Sequence, residues 1–317
     1  SQHRFEDAKK SALSAISIQP SNSDAYGALG DATYELGQYE ECAAAYQKML
    51  DRRPSTASYS RAAYYRKLIG DVSGAADLLK RAYELADYND PENRAWCLFQ
   101  LGNLAFGAGK LDEAEKLYSM AVEIFPNYYN ALAGLGKVNA ALGKVEASIS
   151  YYQKAIAIVP MPDFVSALGD VLTVTGRRQE AKRQYDLVEF IGNLSKINKE
   201  IYNRQLALFY ADHVERKRSD ALKMTIEELK FRKDIYGYDA YAWCLYKNGR
   251  YTEAVESMQK ALRMKTPDSM LYFHAGMIYS SLNRNVECRK YLQKALQLNP
   301  YFHPLFAKIA REKLATR

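Results

Sequence analysis

Small and apolar side chains recur along this chain at helical spacing, and the blocks they mark return about every 34 residues. One column of small residues reads Gly30, Ala63, Gly102, Gly136, Gly169, Ala207, Ala242 and Gly276, at intervals of 33, 39, 34, 33, 38, 35 and 34. A second column, twelve places later in most copies, reads Cys42, Ala75, Ala114, Ser148, Ala181, Ala221, Ala254 and Cys288. Small side chains in both columns let two helix backbones approach closely. Between the columns stand Gly37, Gly70, Gly109, Gly143, Gly176, Gly249 and, in the same role, Asn283, residues that accept the left-handed conformation ending a helix. Apolar bulk comes from Leu29, Leu101, Leu135, Leu168 and Leu206, and Pro20, Pro54, Pro126, Pro160 and Pro300 stop the second apolar run of their blocks. Each block therefore predicts a helix, a tight turn and a second helix, stacked on the next block.

Three blocks, "YGALGDATYELGQYEECAAAYQKMLDRRP", "LFQLGNLAFGAGKLDEAEKLYSMAVEIFP" and "YAWCLYKNGRYTEAVESMQKALRM", carry an aromatic, a Leu-Gly pair, a Gly-x-aromatic or Gly-x-apolar step and an Ala in fixed order. On these residues the chain resembles the tetratricopeptide repeat family over nearly its whole length. The resemblance implies an all-α, right-handed superhelical solenoid whose first helices line a concave face. The repeats are expected at 23–55, 56–94, 95–128, 129–161, 162–199, 200–234, 235–268 and 269–300, preceded by a half repeat at 4–20 and followed by a capping helix at 301–317. The half repeat reads as a second helix without a first, so the chain opens in mid-repeat. In the cap, Leu305, Phe306, Ile309 and Leu314 share one helical face.

Three copies depart from the pattern. The 39-residue interval holds "ELADYNDPENRA", which reads as an extended second helix followed by a Pro-containing loop. In the 38-residue interval "EFIGNLSKINKE" lacks a terminating proline, so a longer helix is expected to cross it. The sixth copy, starting near Glu200, has no turn glycine, and its second small residue arrives two places late.

Chemistry is sparse by comparison. With 48% hydrophobic and 26% charged residues the composition is that of a globular protein, and no apolar run approaches the roughly 20 residues that span a bilayer. The four cysteines, Cys42, Cys97, Cys244 and Cys288, form no C-x-x-C pair, which points to a reducing, cytoplasmic setting. His3, His213, His274 and His303 are scattered without metal-ligand spacing, and no phosphate loop or catalytic motif is present. No enzyme, metal or cofactor is expected. The excess of 44 basic over 37 acidic residues is mild, and the clusters "GRRQEAKRQ", "VERKRSD" and "KFRKD" read as solvated helix faces rather than a nucleic-acid surface.

What remains is a binding role. The family register implies that Tyr64, Lys67, Trp96, Phe99, Asn103, Arg204, Tyr236, Trp243, Tyr246, Phe273 and Met277 line the concave groove, joined by Asn130, Lys137, Asp163, Ser166, Asp170, Leu208, Asp239, Lys247 and His274. Trp96 with Phe99 and Trp243 with Tyr246 are the expected anchors for a partner peptide or helix, although such rings also fill space between copies. The carboxylate clamp of the family's chaperone-binding branch is not reproduced: of Phe99, Asn103, Gly134, Ser166 and Asp170, only the Asn fits. The expectation is a non-enzymatic scaffold that binds another protein. Self-association and service as the recruiting arm of a larger enzyme are the alternatives.

Overall fold

The computed structural model describes residues 4–197 and 204–315, all in helices, turns and short links, with no strand among them. A lone helix α1 (Phe5–Ile18) precedes eight helical hairpins. The first four are α2 (Ser23–Glu35) with α3 (Tyr39–Arg52), α4 (Thr56–Leu68) with α5 (Val72–Leu85), α6 (Pro91–Gly107) with α7 (Leu111–Ile124), and α8 (Tyr129–Ala141) with α9 (Val145–Ile158). The last four are α10 (Pro162–Val174) with α11 (Arg178–Ile197), α12 (Arg204–His213) with α13 (Arg218–Glu228), α14 (Ile235–Lys247) with α15 (Tyr251–Ala261), and α16 (Ser269–Ser281) with α17 (Asn285–Leu298); α18 (Phe306–Ala315) ends the chain. The expected start of the sixth copy at Glu200 lies outside the described residues.

The small column has a specific packing reason. Beneath Gly102, Gly136 and Gly169 lie the rings of Tyr118, Tyr152 and Tyr185 from the second helix of the same hairpin, each too close to leave room for a side chain. Thus seated, the phenol reaches the residue after the glycine: Tyr118 donates to Asn103 Oδ1 at 2.9 Å, Tyr185 to Asp170 Oδ1 at 2.8 Å, and in the first hairpin Tyr46 to Asp31 Oδ1 at 2.9 Å. That following residue is the one facing the concave side. Asn283 takes the left-handed turn at φ 57° in the place of the other copies' glycine.

Two expectations are corrected. The 39-residue interval does not lengthen a second helix, because α5 keeps an ordinary 14 residues. The extra residues instead lengthen α6 at its start, where Pro91 occupies the first turn and the Asp90 carboxylate accepts from Asn93 N at 3.0 Å. Proline fits there because a first-turn N–H has no helical acceptor. In the cap, the buried stripe is Phe306, Ala307 and Ala310, whereas Ile309 remains 38% exposed. The 20-residue α11 does run long, as the missing proline implies, and a 3-10 turn (Glu215–Lys217) stands in for the missing glycine of the sixth copy.

The superhelix comes round onto itself. Each loop that follows one of the last three second helices docks on the turn of the hairpin five copies earlier. Lys233 N donates to Glu35 O at 2.8 Å and Ile235 N to Tyr39 Oη at 2.9 Å. Thr266 Oγ1 donates to Leu68 O at 2.6 Å, and Asn299 Nδ2 to Phe106 O at 2.7 Å. Three of these acceptors are carbonyls in the last turns of α2, α4 and α6, where helix ends leave hydrogen-bonding capacity unused. Tyr39 and Leu68, far back in the chain, are buried in the core of its last third. At the seam Arg232 bridges Glu35 (2.6 Å) and Glu228 (2.8 Å), and Arg204 faces Asp234 at 3.3 Å. Burial pushes the Glu35 and Glu228 carboxyls above the usual range despite those guanidinium groups.

Candidate functional site

Closure turns the concave face into the wall of a lumen holding a cavity of about 580 Å³. One side is built by α6, α8, α10 and α12, the other by α16 and the link between α17 and α18. Its polar lining includes Asn103, Asn130, Lys137, Asp163, Ser166 and Asp170. The volume lies in the range of small-ligand pockets and suits a few residues of extended polypeptide.

Lys137 is the exception in the ladder of tyrosine contacts. It occupies the position that holds Asp31, Asn103 and Asp170 in other hairpins, and an ammonium cannot accept the proton of the Tyr152 phenol beneath it. Its Nζ lies 4.3 Å from the centre of the Phe106 ring and makes no ion pair. Desolvation inside the lumen holds the ammonium below the usual lysine range, with Lys67 adding to the effect against the carboxylates of Asp268 and Asp163. On the neighbouring first helix of the same wall, desolvation raises the Asp163 carboxyl, which makes no ion pair either. Cation and anion thus line one cavity, both solvent-accessible and neither in an ion pair.

Asp170, in contrast, is saturated. Besides the Tyr185 phenol it faces His213 Nε2 and His303 Nε2, each at 3.3 Å. Sequence spacing could not bring these histidines together, because His303 arrives from the end of the chain. Among the described residues no group of His, Cys, Asp or Glu is placed to hold a metal ion. All four thiols are free and buried, and burial pushes Cys42 and Cys97 up to about 12, which keeps them protonated.

The expected groove residues separate into three groups. Phe99 and Asn103 line the cavity. Tyr64, 45% exposed, and Lys67 border a smaller crevice beside it with Gln100 and Asn103. The remainder are engaged internally. Trp96 packs on two core clusters, one shared with Ala63 and Leu79 of the preceding hairpin and one with Tyr128 and Ala131 at the following one. Arg204 is paired with Asp234 and lies over Tyr236. Met277 and Tyr246 pack on the core, and Phe273 is buried at 1% exposure. Trp243 is only 2% exposed: its Nε1 donates to Asp212 Oδ1 at 2.9 Å, and His274 and Tyr246 stack on its ring at 4.1 and 4.8 Å. As an open anchor Trp243 is therefore corrected, because the chain's own end covers it. Phe302 and His303 of the link and Phe306 at the start of α18, which the register did not include, form that cover and a wall of the cavity. Their signal in the sequence was "YFHPLF", richer in rings than a solvent-facing cap requires.

The basic clusters are largely neutralised. Arg177 pairs with Glu146 and Glu180, Lys182 with Asp186, Arg216 and Lys217 with Glu189, and Arg218 with Glu215. No helix among the described residues is long and apolar enough to cross a membrane.

Family models described as tetratricopeptide repeat match residues 1–55 and 99–160, residues 55–127, and residues 236–267 and 271–302. No curated protein is a detectable sequence match to the chain. Among solved structures, the APC/C hetero-tetramer Cut9–Hcn1 is similar at 16% identity over 99% of this chain, which spans 53% of that one, with a TM-score of 0.50. PilW, a type IV pilus biogenesis factor, is similar at 17% identity over 64% of this chain and 89% of that one, with a TM-score of 0.51. The human IFIT1 dimer with m7Gppp-AAAA is similar at 12% identity over 84% of this chain and 68% of that one, also at 0.51. At such identities the likeness is one of fold. The spaced hairpins, their concave lumen and the matched models together place the chain in the tetratricopeptide repeat family.

Proposed function

We propose that the chain is a non-enzymatic scaffold that takes a short segment of a partner protein into its lumen. Membership of a repeat family built for protein interaction supports the scaffold role in general. The observation that carries the specific reading is Lys137, a solvent-accessible ammonium on the wall of the 580 Å³ cavity that makes no ion pair. Its side chain stays solvent-accessible, and the carboxylates that act on it, Asp268 and Asp163, make no ion pair with it, so a carboxylate on an incoming segment can pair with it directly. Asn103 and Asn130 then offer amides to the segment's backbone, Phe99 an apolar wall, and Asp163 an acceptor for a donor on the segment. The neutralised basic clusters speak for a protein rather than a nucleic acid as the partner.

The test is affinity capture with the wild-type chain beside Lys137→Glu and Ser166→Trp, the first reversing the lumen charge and the second filling the cavity, each confirmed as folded by circular dichroism. A protein retained by the wild type and lost with both variants is the expected result. An identical set retained by all three overturns the lumen as the partner site.

A further inference from the structure

The rings that the register assigns to an open groove, Trp243, Phe273 and His274, are covered from within by residues 300–315, an arm consisting of the link after α17 and α18. Phe306 stacks on Phe273 at 4.9 Å and meets Trp243 edge-on at 6.2 Å, and Phe302 lies against Phe273 at 5.7 Å. Two aromatic side chains four residues apart thus occupy the aromatic half of the concave face. His303 fastens the arm. Its Nδ1 accepts from the backbone N–H groups of Leu305 and Phe306 at 3.2 and 3.4 Å, which leaves the ring proton on Nε2 to be donated to Asp170.

The fit is incomplete at one point. His274 is 1% exposed, its Nδ1 lies 2.8 Å from Asp239 Oδ1, and its ring borders the same cavity as the arm. The opposite ring nitrogen, Nε2, is buried and has no hydrogen-bond partner. A buried acceptor left in this way penalises the closed arrangement. A ligand that keeps the two rings and adds a donor at this point would bind the face better than the arm does. The arm itself is a ten-residue helix behind Pro300 and Pro304, held by His303, by ring stacking, by burial of Ala307 and Ala310 and by Arg289 donating to Leu314 O at 3.3 Å, with no continuous backbone ladder.

We propose that the arm is an intramolecular occupant of this face, and that the partner segment displaces it, presenting two aromatic side chains one helical turn apart and a hydroxyl or amide donor directed at His274 Nε2. This rests on the lumen being the partner site. Because arm and segment compete for one surface, their affinities are linked: loosening the arm strengthens the incoming segment by the fraction of time the face stands free.

The experiment uses the full chain and a fluorescein-labelled synthetic peptide of residues 299–315 as the probe, followed by fluorescence anisotropy. The Phe306→Ala chain, its own arm loosened, is expected to bind the peptide at least ten-fold more tightly than wild type, and a peptide carrying the same Phe306→Ala change is expected to bind neither chain. Because Phe306→Ala removes buried area, His303→Ala is the second variant, since it deletes the bond to Asp170 with the rings retained; a several-fold gain is expected. Hydrogen exchange on the same samples reports whether α18 has been released. If α18 exchanges freely and the peptide still fails to bind, the arm is a fixed cap and the proposal is overturned. If instead the wild type forms a dimer that the peptide dissolves, the occupant is a second copy's arm and the partner-segment assignment falls. The titration contains no partner, so its failure is separate from the capture result with Lys137→Glu: peptide binding with unchanged capture removes the lumen reading and the partner-segment assignment that rests on it, whereas lost capture without peptide binding removes the displaceable arm alone.

Discussion

Trp96 with Phe99 and Trp243 with Tyr246 are alike in sequence, each a tryptophan followed three residues later by an aromatic on the first helix of a hairpin, yet the fold uses them in opposite ways. In the first pair the tryptophan packs between hairpins and the phenylalanine is left on the cavity. In the second the tryptophan is sealed under Phe306 and tied to Asp212. The local helix places both pairs on the concave side; what separates them is the superhelix returning to meet itself, with its last link turned into the lumen. Residue type therefore states what a side chain can contribute, and long-range closure decides whether it remains available.

The largest way to sharpen the contrast is truncation of the two tryptophans. Trp243→Ala is expected to destabilise the chain by about 3–5 kcal/mol, the usual range for a large aromatic removed from a packed interior, and Trp96→Ala by clearly less because that ring is half-buried. Urea unfolding of the two variants measures the difference, and equal losses would place the two rings in equivalent environments. Next comes the seam on which closure depends. Arg232→Ala leaves Glu228, 2% exposed, without its direct guanidinium partner, with an expected loss of about 3 kcal/mol and faster hydrogen exchange at Ile235.

The same seam sets a pH dependence. The folded-state pKa values of Glu35 and Glu228 are raised by burial, so the native chain holds those protons more firmly than the unfolded chain. Their contribution to stability is fully present below the usual carboxylate range and is lost as pH rises through the raised values. Acidifying from neutrality should therefore tighten the seam, and Glu228→Gln should flatten the part of the stability profile just above the ordinary carboxylate range. A profile unchanged by that substitution would detach Glu228 from the effect. The smallest expected change in stability is at Lys137, whose lowered pKa means that the charged form is disfavoured by folding. Lys137→Met should raise the unfolding midpoint slightly while abolishing partner capture, the trade expected where a site is kept for binding.

The hairpins were legible because each is decided within about 34 residues: a glycine under which a tyrosine ring fits, a left-handed turn, a helix stop. Pro91 was misread as part of a loop because proline is compatible with a loop and with a first helical turn alike, and Asp90 caps the latter. Lys137 stood on the concave register, but its isolation was not visible, because that follows from the missing tyrosine bond and from the closed lumen together. Least legible was the arm. Contacts such as Asn299 with Phe106 and His303 with Asp170 join positions far apart in sequence, and no periodicity within a repeat encodes them.

The central claim, that the partner enters the lumen, is tested most directly by site-specific photocrosslinking in native lysate. Benzoylphenylalanine replaces Val174, 47% exposed on the cavity rim, or Val286, 80% exposed and outside the cavity. The account expects a discrete crosslinked partner from position 174, absent from position 286 and lost when Lys137→Glu is added. The same partner captured from position 286, with none from position 174, would contradict it.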